Sequence, residues 1–196
     1  MKTTRALCSI TVSALLFLFS ATGSDAVLSA GELAQSVTLI AHDGSPVELE
    51  EQWGEGPVLL AFMAPRCLPC EESLPDLQTI ARKYGASHGL DVLCVYLTDE
   101  GGLESVKEAN AGRPNLSIFR DLLENGGFAA ARAYGVLGTP TFILVGPDAI
   151  VQWTHVGRLP TVAAQGEQAL SLMKSTRTSG PFPLVPGDRL VAQDAN

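Results

Sequence analysis

Two cysteines, Cys67 and Cys70, stand where an apolar strand pattern gives way to a helical one. Upstream, Val58 to Phe62 is an uncharged run of strand length, the pattern of a strand buried on both faces. Downstream, Leu74, Leu77, Ile80, Ala81 and Tyr84 recur at helical spacing. A junction of this kind places the first thiol at a helix N-terminus. Unpaired backbone amides and the positive end of the helix dipole favour the thiolate there, and the thiolate is the form that attacks a disulfide. Two cysteines in one first helical turn can also close a small disulfide ring with little backbone movement. The spacing therefore predicts a redox pair.

At the start of the chain, Lys2 and Arg5 precede an uncharged stretch from Ala6 to Phe19, and small and polar residues follow to Ala26. This is the layout of an export signal, and the apolar stretch is short of the roughly 18 residues of a spanning helix. The segment 1–26 is read as that signal, with cleavage near Ala26, a rival site at Ala21 to Gly23, and an uncleaved anchor as the alternative. Cys8 falls inside it and is set aside. Residues 27–174 are of single-domain size. The net charge of -8 argues against nucleic acid and anionic membranes as partners. Removing the leader leaves Cys67, Cys70 and Cys94, too few for a disulfide framework but suited to an exported protein with one working pair. Cys94 sits within Asp91 to Leu97, another buried-strand pattern, and reads as a small core residue.

Val37 to Leu49 has two short apolar runs flanking Asp43-Gly44-Ser45, which predicts a leading hairpin. A strand is expected over Leu90 to Leu97, a loop over Thr98 to Gly102, a short helix over Leu103 to Ala109 and a third core strand over Leu116 to Phe119. Phe128 to Tyr134 is helical in pattern. Pro140 opens a strand over Thr141 to Val145, and Gly146-Pro147-Asp148 turns it into Ile150 to Val156. Pro160 and Thr161 open a last helix with Val162, Gly166, Ala169 and Met173 on one face. Residues 175–196 lose periodicity and collect Gly, Pro and Ser, so an extended or mobile tail is expected. Strand and helix alternate through the middle of the chain, which predicts an α/β core with parallel pairing.

Two motifs together, Phe62 to Pro75 with Cys67-x-Pro69-Cys70 inside it and Gly138-Thr139-Pro140-Thr141-Phe142, resemble the thioredoxin superfamily. With the leader and the hairpin, the chain is most similar to exported TlpA-like and ResA-like thiol-disulfide oxidoreductases over Val37 to Lys174. The resemblance implies a thioredoxin-like α/β fold, a central mixed sheet flanked by helices, with an N-terminal β-hairpin extension. It also implies a cis peptide at Pro140 facing the cysteine pair, and Pro75 bending the first helix. Cys67 would be the attacking thiol and Cys70 the resolving one, acting through a mixed disulfide. Thr139 and Pro140 would present backbone to an extended client segment.

Arg66 either lowers the Cys67 thiol pKa by its charge or is an ordinary surface arginine. Leu68-Pro69 between the cysteines contains no cation or histidine, which favours a reductase over a strong oxidant. The chain departs from its relatives in proton handling. The acid that many thioredoxins carry upstream of the pair is Ala61 here, the tryptophans usual before the pair are Met63 and Arg66, and the glutamate of ResA-like proteins falls on Ser73. Glu71 and Glu72 are adjacent alternatives, Glu72 serving if it turns towards the sulfurs. Acidic residues that suit the first helical turn are the alternative reading.

His42, His88 and His155 lack metal-ligand spacing, so no metal site and no cofactor is expected. Trp53 and Trp153 read as packing residues. The expected partners are client proteins with disulfides or thiols and a membrane electron donor, the protein itself being a monomer outside the cytoplasm. The other functions weighed are a disulfide oxidase or isomerase on the same scaffold and a copper-binding chaperone using the two thiolates. A peroxiredoxin is excluded by Ala64, where that chemistry needs a threonine.

Overall fold

The computed structural model describes residues 27–53 and 55–159. The leader, the helix expected from Pro160 and the C-terminal tail lie outside the described residues. In chain order come β1 (Thr38–Ala41), β2 (Pro46–Glu48), β3 (Val58–Met63), α1 (Leu68–His88), β4 (Asp91–Tyr96), α2 (Leu103–Asn110) and β5 (Ser117–Asp121). A small pair, β6 (Leu123–Glu124) and β7 (Gly127–Phe128), leads to α3 (Ala129–Ala133), β8 (Thr141–Val145) and β9 (Val151–Val156). Short 3-10 turns occupy Leu49–Gln52 and Glu100–Gly102, the second where a loop is expected from the sequence.

Seven strands form one mixed sheet in the order β2-β1-β5-β4-β3-β8-β9. Only β3, β4 and β5 run parallel to their neighbours, and the leading hairpin adds to β5 antiparallel. The expected parallel pairing is thus confined to the centre, where helices cover both faces and strands must be apolar throughout. In β3 every residue is buried. Leu59, Ala61 and Met63 face Leu74 and Leu77 of α1, while Val58, Leu60 and Phe62 face Ala130, Tyr134 and Val145 in a second core. The strand's period of two therefore serves two cores at once. The parallel arrangement also sends the C-terminal ends of β3, β4 and β5 to the same end of the sheet, where α1 begins.

α1 carries Pro69 in its first turn, where a missing amide costs nothing. Gly89 ends it in a left-handed conformation, φ 66, its amide donating to the Gly85 carbonyl at 2.9 Å. Gly56, just before β3, packs against that cap so closely that a Cβ there would lie 2.1 Å from the Gly89 carbonyl oxygen.

The β6 and β7 strands form a hairpin that the sequence reading did not anticipate. Asn125 and Gly126 supply its turn with φ 49 and φ 77, the positive pair of a type I′ turn. Beyond it, Asp121 caps α3: its Oδ1 accepts the Ala130 amide and its Oδ2 the Ala131 amide, both at 2.8 Å. Burial pushes the Asp121 carboxyl above its usual 3.8, and the amides of Ala130, Ala131 and Leu122 offset part of that rise.

Replacing Asp121 by alanine leaves the Ala130 and Ala131 amides without their acceptor and is expected to cost ~1–3 kcal/mol. The raised carboxyl also fixes a sign. Above its folded pKa the buried charge weighs against the fold, and the penalty is relieved as pH falls towards the unfolded value. Wild type is therefore expected to gain stability relative to Asp121→Asn as pH is lowered from neutrality towards 4, read from urea midpoints of both proteins. A constant difference across that range would refute the assignment.

Candidate active site

The turn from β3 into α1 places both cysteines at the active end of the sheet. Cys67 is the N-cap of α1, and its carbonyl accepts the amides of Cys70 and Glu71, both at 3.0 Å. The sulfurs are bonded to each other, with Cα atoms 5.2 Å apart. Their environments differ. Cys67 is half-buried, whereas Cys70 is 1% exposed. An incoming sulfur therefore meets Cys67 first.

The second wall is the loop before β8. The Thr139-Pro140 peptide is cis, and the Thr139 carbonyl oxygen and hydroxyl each lie 3.7 Å from Cys67 Sγ. The Thr141 hydroxyl donates to the Gly138 carbonyl at 2.7 Å, and the Pro140 carbonyl accepts the Gly157 amide at 2.8 Å. Both motifs that are far apart in sequence, Cys67 to Cys70 and Thr139 to Pro140, thus meet at one sulfur.

Arg66 is exposed and takes left-handed backbone, φ 58, in the tight turn ahead of Cys67. Glu72 pairs with Arg158, Nη1 to Oε2 at 3.4 Å, both side chains being partly exposed. Ser73 is fully buried; its hydroxyl donates to the Pro69 carbonyl at 2.7 Å and accepts the Leu159 amide at 3.3 Å. The position where ResA-like proteins carry a glutamate is therefore an anchor for the chain after β9. Glu71 is exposed and, with Arg66, Cys70 and Tyr96, lines a cavity of about 110 Å³ whose walls are otherwise apolar.

Sequence reasoning missed this cavity and the segment Gly157 to Leu159. That segment ties the proline loop to α1 through the Pro140 carbonyl and the Ser73 hydroxyl. Its one sequence signal is Gly157, which ends β9 at φ 95.

The histidines have different neighbours: His42 follows β1, His88 stacks edge-on against Tyr84 at the end of α1, and the Nε2–H of His155 on β9 donates to the Arg158 carbonyl at 2.9 Å. Trp153 is half-buried and stacks on His155 with ring centroids 5.6 Å apart, while Trp53 packs against the second core. Cys94 is fully buried, and burial pushes its thiol up to about 12, which keeps it protonated and unreactive.

The Redoxin family model matches residues 29–170. The thiol-disulfide oxidoreductase ResA of Halalkalibacterium halodurans is 28% identical over 137 residues, covering 65% of this chain and 69% of that protein. The thioredoxin-like protein YneN of Bacillus subtilis is 28% identical over 142 residues, covering 72% of this chain and 79% of its own. Among solved structures, a protein named as the thiol:disulfide interchange protein DsbE of Chlorobium tepidum superposes with a TM-score of 0.63 at 29% identity, over 74% of this chain and 99% of its own. The chain belongs to the Redoxin family, and it is a thiol-disulfide oxidoreductase of the TlpA-like and ResA-like branch of the thioredoxin superfamily.

Proposed function

We propose that the protein is an exported reductase of client protein disulfides, of the kind needed in cytochrome c maturation or metal-centre assembly. The observation that carries this reading is the pairing of a half-exposed Cys67 with the Thr139 backbone 3.7 Å away. An extended client segment lying along Thr139 would bring its own disulfide onto that sulfur. Leu68 and Pro69 place no cation or histidine between the cysteines, so nothing there selectively stabilises a thiolate, as a strongly oxidising pair requires. Arg66, in the turn before the nucleophile, contributes a positive charge that favours attack. Glu72, held against Arg158, acts at most through its field.

In this reading Cys67 attacks the client disulfide, Cys70 displaces the client, and a membrane donor returns two electrons to the pair. The donor follows from compartment, because the cytosolic thiol pool does not reach across a membrane. The segment 1–26 directs export, residues 27–174 form the working domain, and the protein acts as a monomer. Among the described residues no helix is long and apolar enough to cross a membrane.

The test is the equilibrium reduction potential of the Cys67 and Cys70 pair in glutathione or dithiothreitol buffers. A potential of about -270 mV or lower is expected, the range of thioredoxin. One near about -120 mV would make the protein a donor of its disulfide and overturn the reductase reading.

A further inference from the structure

Resolving a mixed disulfide requires the Cys70 thiol to lose its proton before its sulfur can attack Cys67. Cys70 is 1% exposed, and the cavity of about 110 Å³ beside it has the exposed Arg66 and Glu71 among its lining residues. A space of this size holds several waters. Among the described residues, the charged and titratable groups facing it are Arg66 from the turn after β3, Tyr96 from β4 and Glu71 from α1, and α2 contributes Val106. Arg66 is a permanent cation and a tyrosine keeps its proton at neutral pH, so among the described residues Glu71 is the one carboxylate base on the cavity wall.

The neighbouring polar groups of α1 are committed elsewhere: Glu72 is paired with Arg158 at 3.4 Å, and the Ser73 hydroxyl is held between Pro69 and Leu159. Beneath the sulfurs, position 61 is a buried alanine. We propose that Glu71 is the proton acceptor for Cys70, acting through water in this cavity.

The Cys70 proton passes through water to the Glu71 carboxylate, and the Cys70 thiolate attacks Cys67 Sγ. The bond between Cys67 and the client sulfur breaks as the intramolecular disulfide forms. The client leaves as a thiolate carrying the electron pair and is protonated by solvent or by Glu71. The reverse reaction returns the proton to Cys70, so the role rests on thiol-disulfide exchange and not on its direction. A potential that overturned the reductase reading would leave it standing.

The test uses the reduced full chain in single turnover with oxidised glutathione, the mixed disulfide being trapped by acid and quantified by mass. Glu71→Gln is expected to lengthen the lifetime of that species about tenfold near pH 6.5 while leaving its rate of formation unchanged or slightly raised. The gap closes above about pH 9, where hydroxide takes the proton. Glu72→Gln is expected to leave the lifetime unchanged. A field effect has the opposite sign, because removing a negative charge beside a thiol favours the thiolate and shortens the lifetime. An unchanged or shortened lifetime in Glu71→Gln, or an equal lengthening in Glu72→Gln, would overturn the proposal.

Discussion

Cys67→Ser is expected to lower the rate of disulfide exchange on the order of a thousandfold or more, because a serine hydroxyl at neutral pH is not ionised and no other described sulfur lies beside Thr139. Cys70→Ser should behave differently. Cys67 keeps its exposure, its place at the N-terminus of α1 and its contact with the Thr139 carbonyl at 3.7 Å, so attack on a client disulfide proceeds. What is lost is the displacement. The buried position 70 then holds a hydroxyl that cannot break the bond between Cys67 and the client, and the variant should accumulate as a covalent complex. Non-reducing electrophoresis after mixing with a disulfide-bonded protein reads both results directly. If the Cys70→Ser protein released its client as fast as wild type, or if Cys67→Ser were the variant that trapped it, the assignment of roles would be reversed.

The largest expected loss of stability is at Tyr134. This residue is fully buried, its ring centroid lies 5.5 Å from that of Phe62, and its hydroxyl donates to the Gln35 carbonyl at 2.7 Å. Its own carbonyl accepts the Leu28 amide at 3.1 Å, so the N-terminal segment and the second core close around one side chain. Tyr134→Ala leaves a cavity that neither β3 nor α3 can fill and is expected to cost ~3–5 kcal/mol. That is a large share of a stability of about 5–15 kcal/mol. Tyr134→Phe keeps the packing and loses the hydrogen bond, for about 1 kcal/mol.

Alkali separates the two effects further. Burial raises the Tyr134 hydroxyl well above its usual 10.0. The unfolded chain can ionise first, so this contribution is complete below about pH 10 and is lost as pH rises beyond it. Wild type should therefore lose stability relative to Tyr134→Phe on raising pH past that point, in urea midpoints measured side by side. Equal costs for the alanine and phenylalanine variants would show that the hydrogen bond, and not the ring, holds this region.

The redox pair and its proline loop are legible in the sequence because each is a local pattern with one physical meaning. An uncharged strand followed by cysteines at the start of a helix leaves few other folds, and Pro140 at the head of a buried strand adds a second fixed point. The leading hairpin is legible for the same reason, since Asp43-Gly44-Ser45 marks its turn. The β6 and β7 hairpin is not, although Asn125-Gly126 is a strong turn signal. Its flanking runs are too short for a period to emerge, and the alanine-rich stretch after them reads as a longer helix than the Ala129–Ala133 that forms. The direction of β1 against β5 is a matter of tertiary assembly, set by a partner strand more than seventy residues away. The arrangement around Glu71, Glu72 and Ser73 is of that kind too. Consecutive residues on α1 face a cavity, an arginine distant in sequence and the buried Leu159 in the segment after β9, and only the fold decides which faces which.

Cys94 is paired in register with Ala61 on one side and Ile118 on the other, in the middle of the three parallel strands. Its side chain lies in the core between the sheet and α1, so it can be alkylated only when that layer opens, and its rate of labelling under native conditions counts those openings. With Cys67 and Cys70 held as a disulfide, the other described thiol is this one, and no engineered probe is needed. The molecule carries its own clock for rare excursions from the folded state. Comparing the tick of that clock in the oxidised and reduced forms would measure how much the active-site bond steadies a sheet it does not belong to.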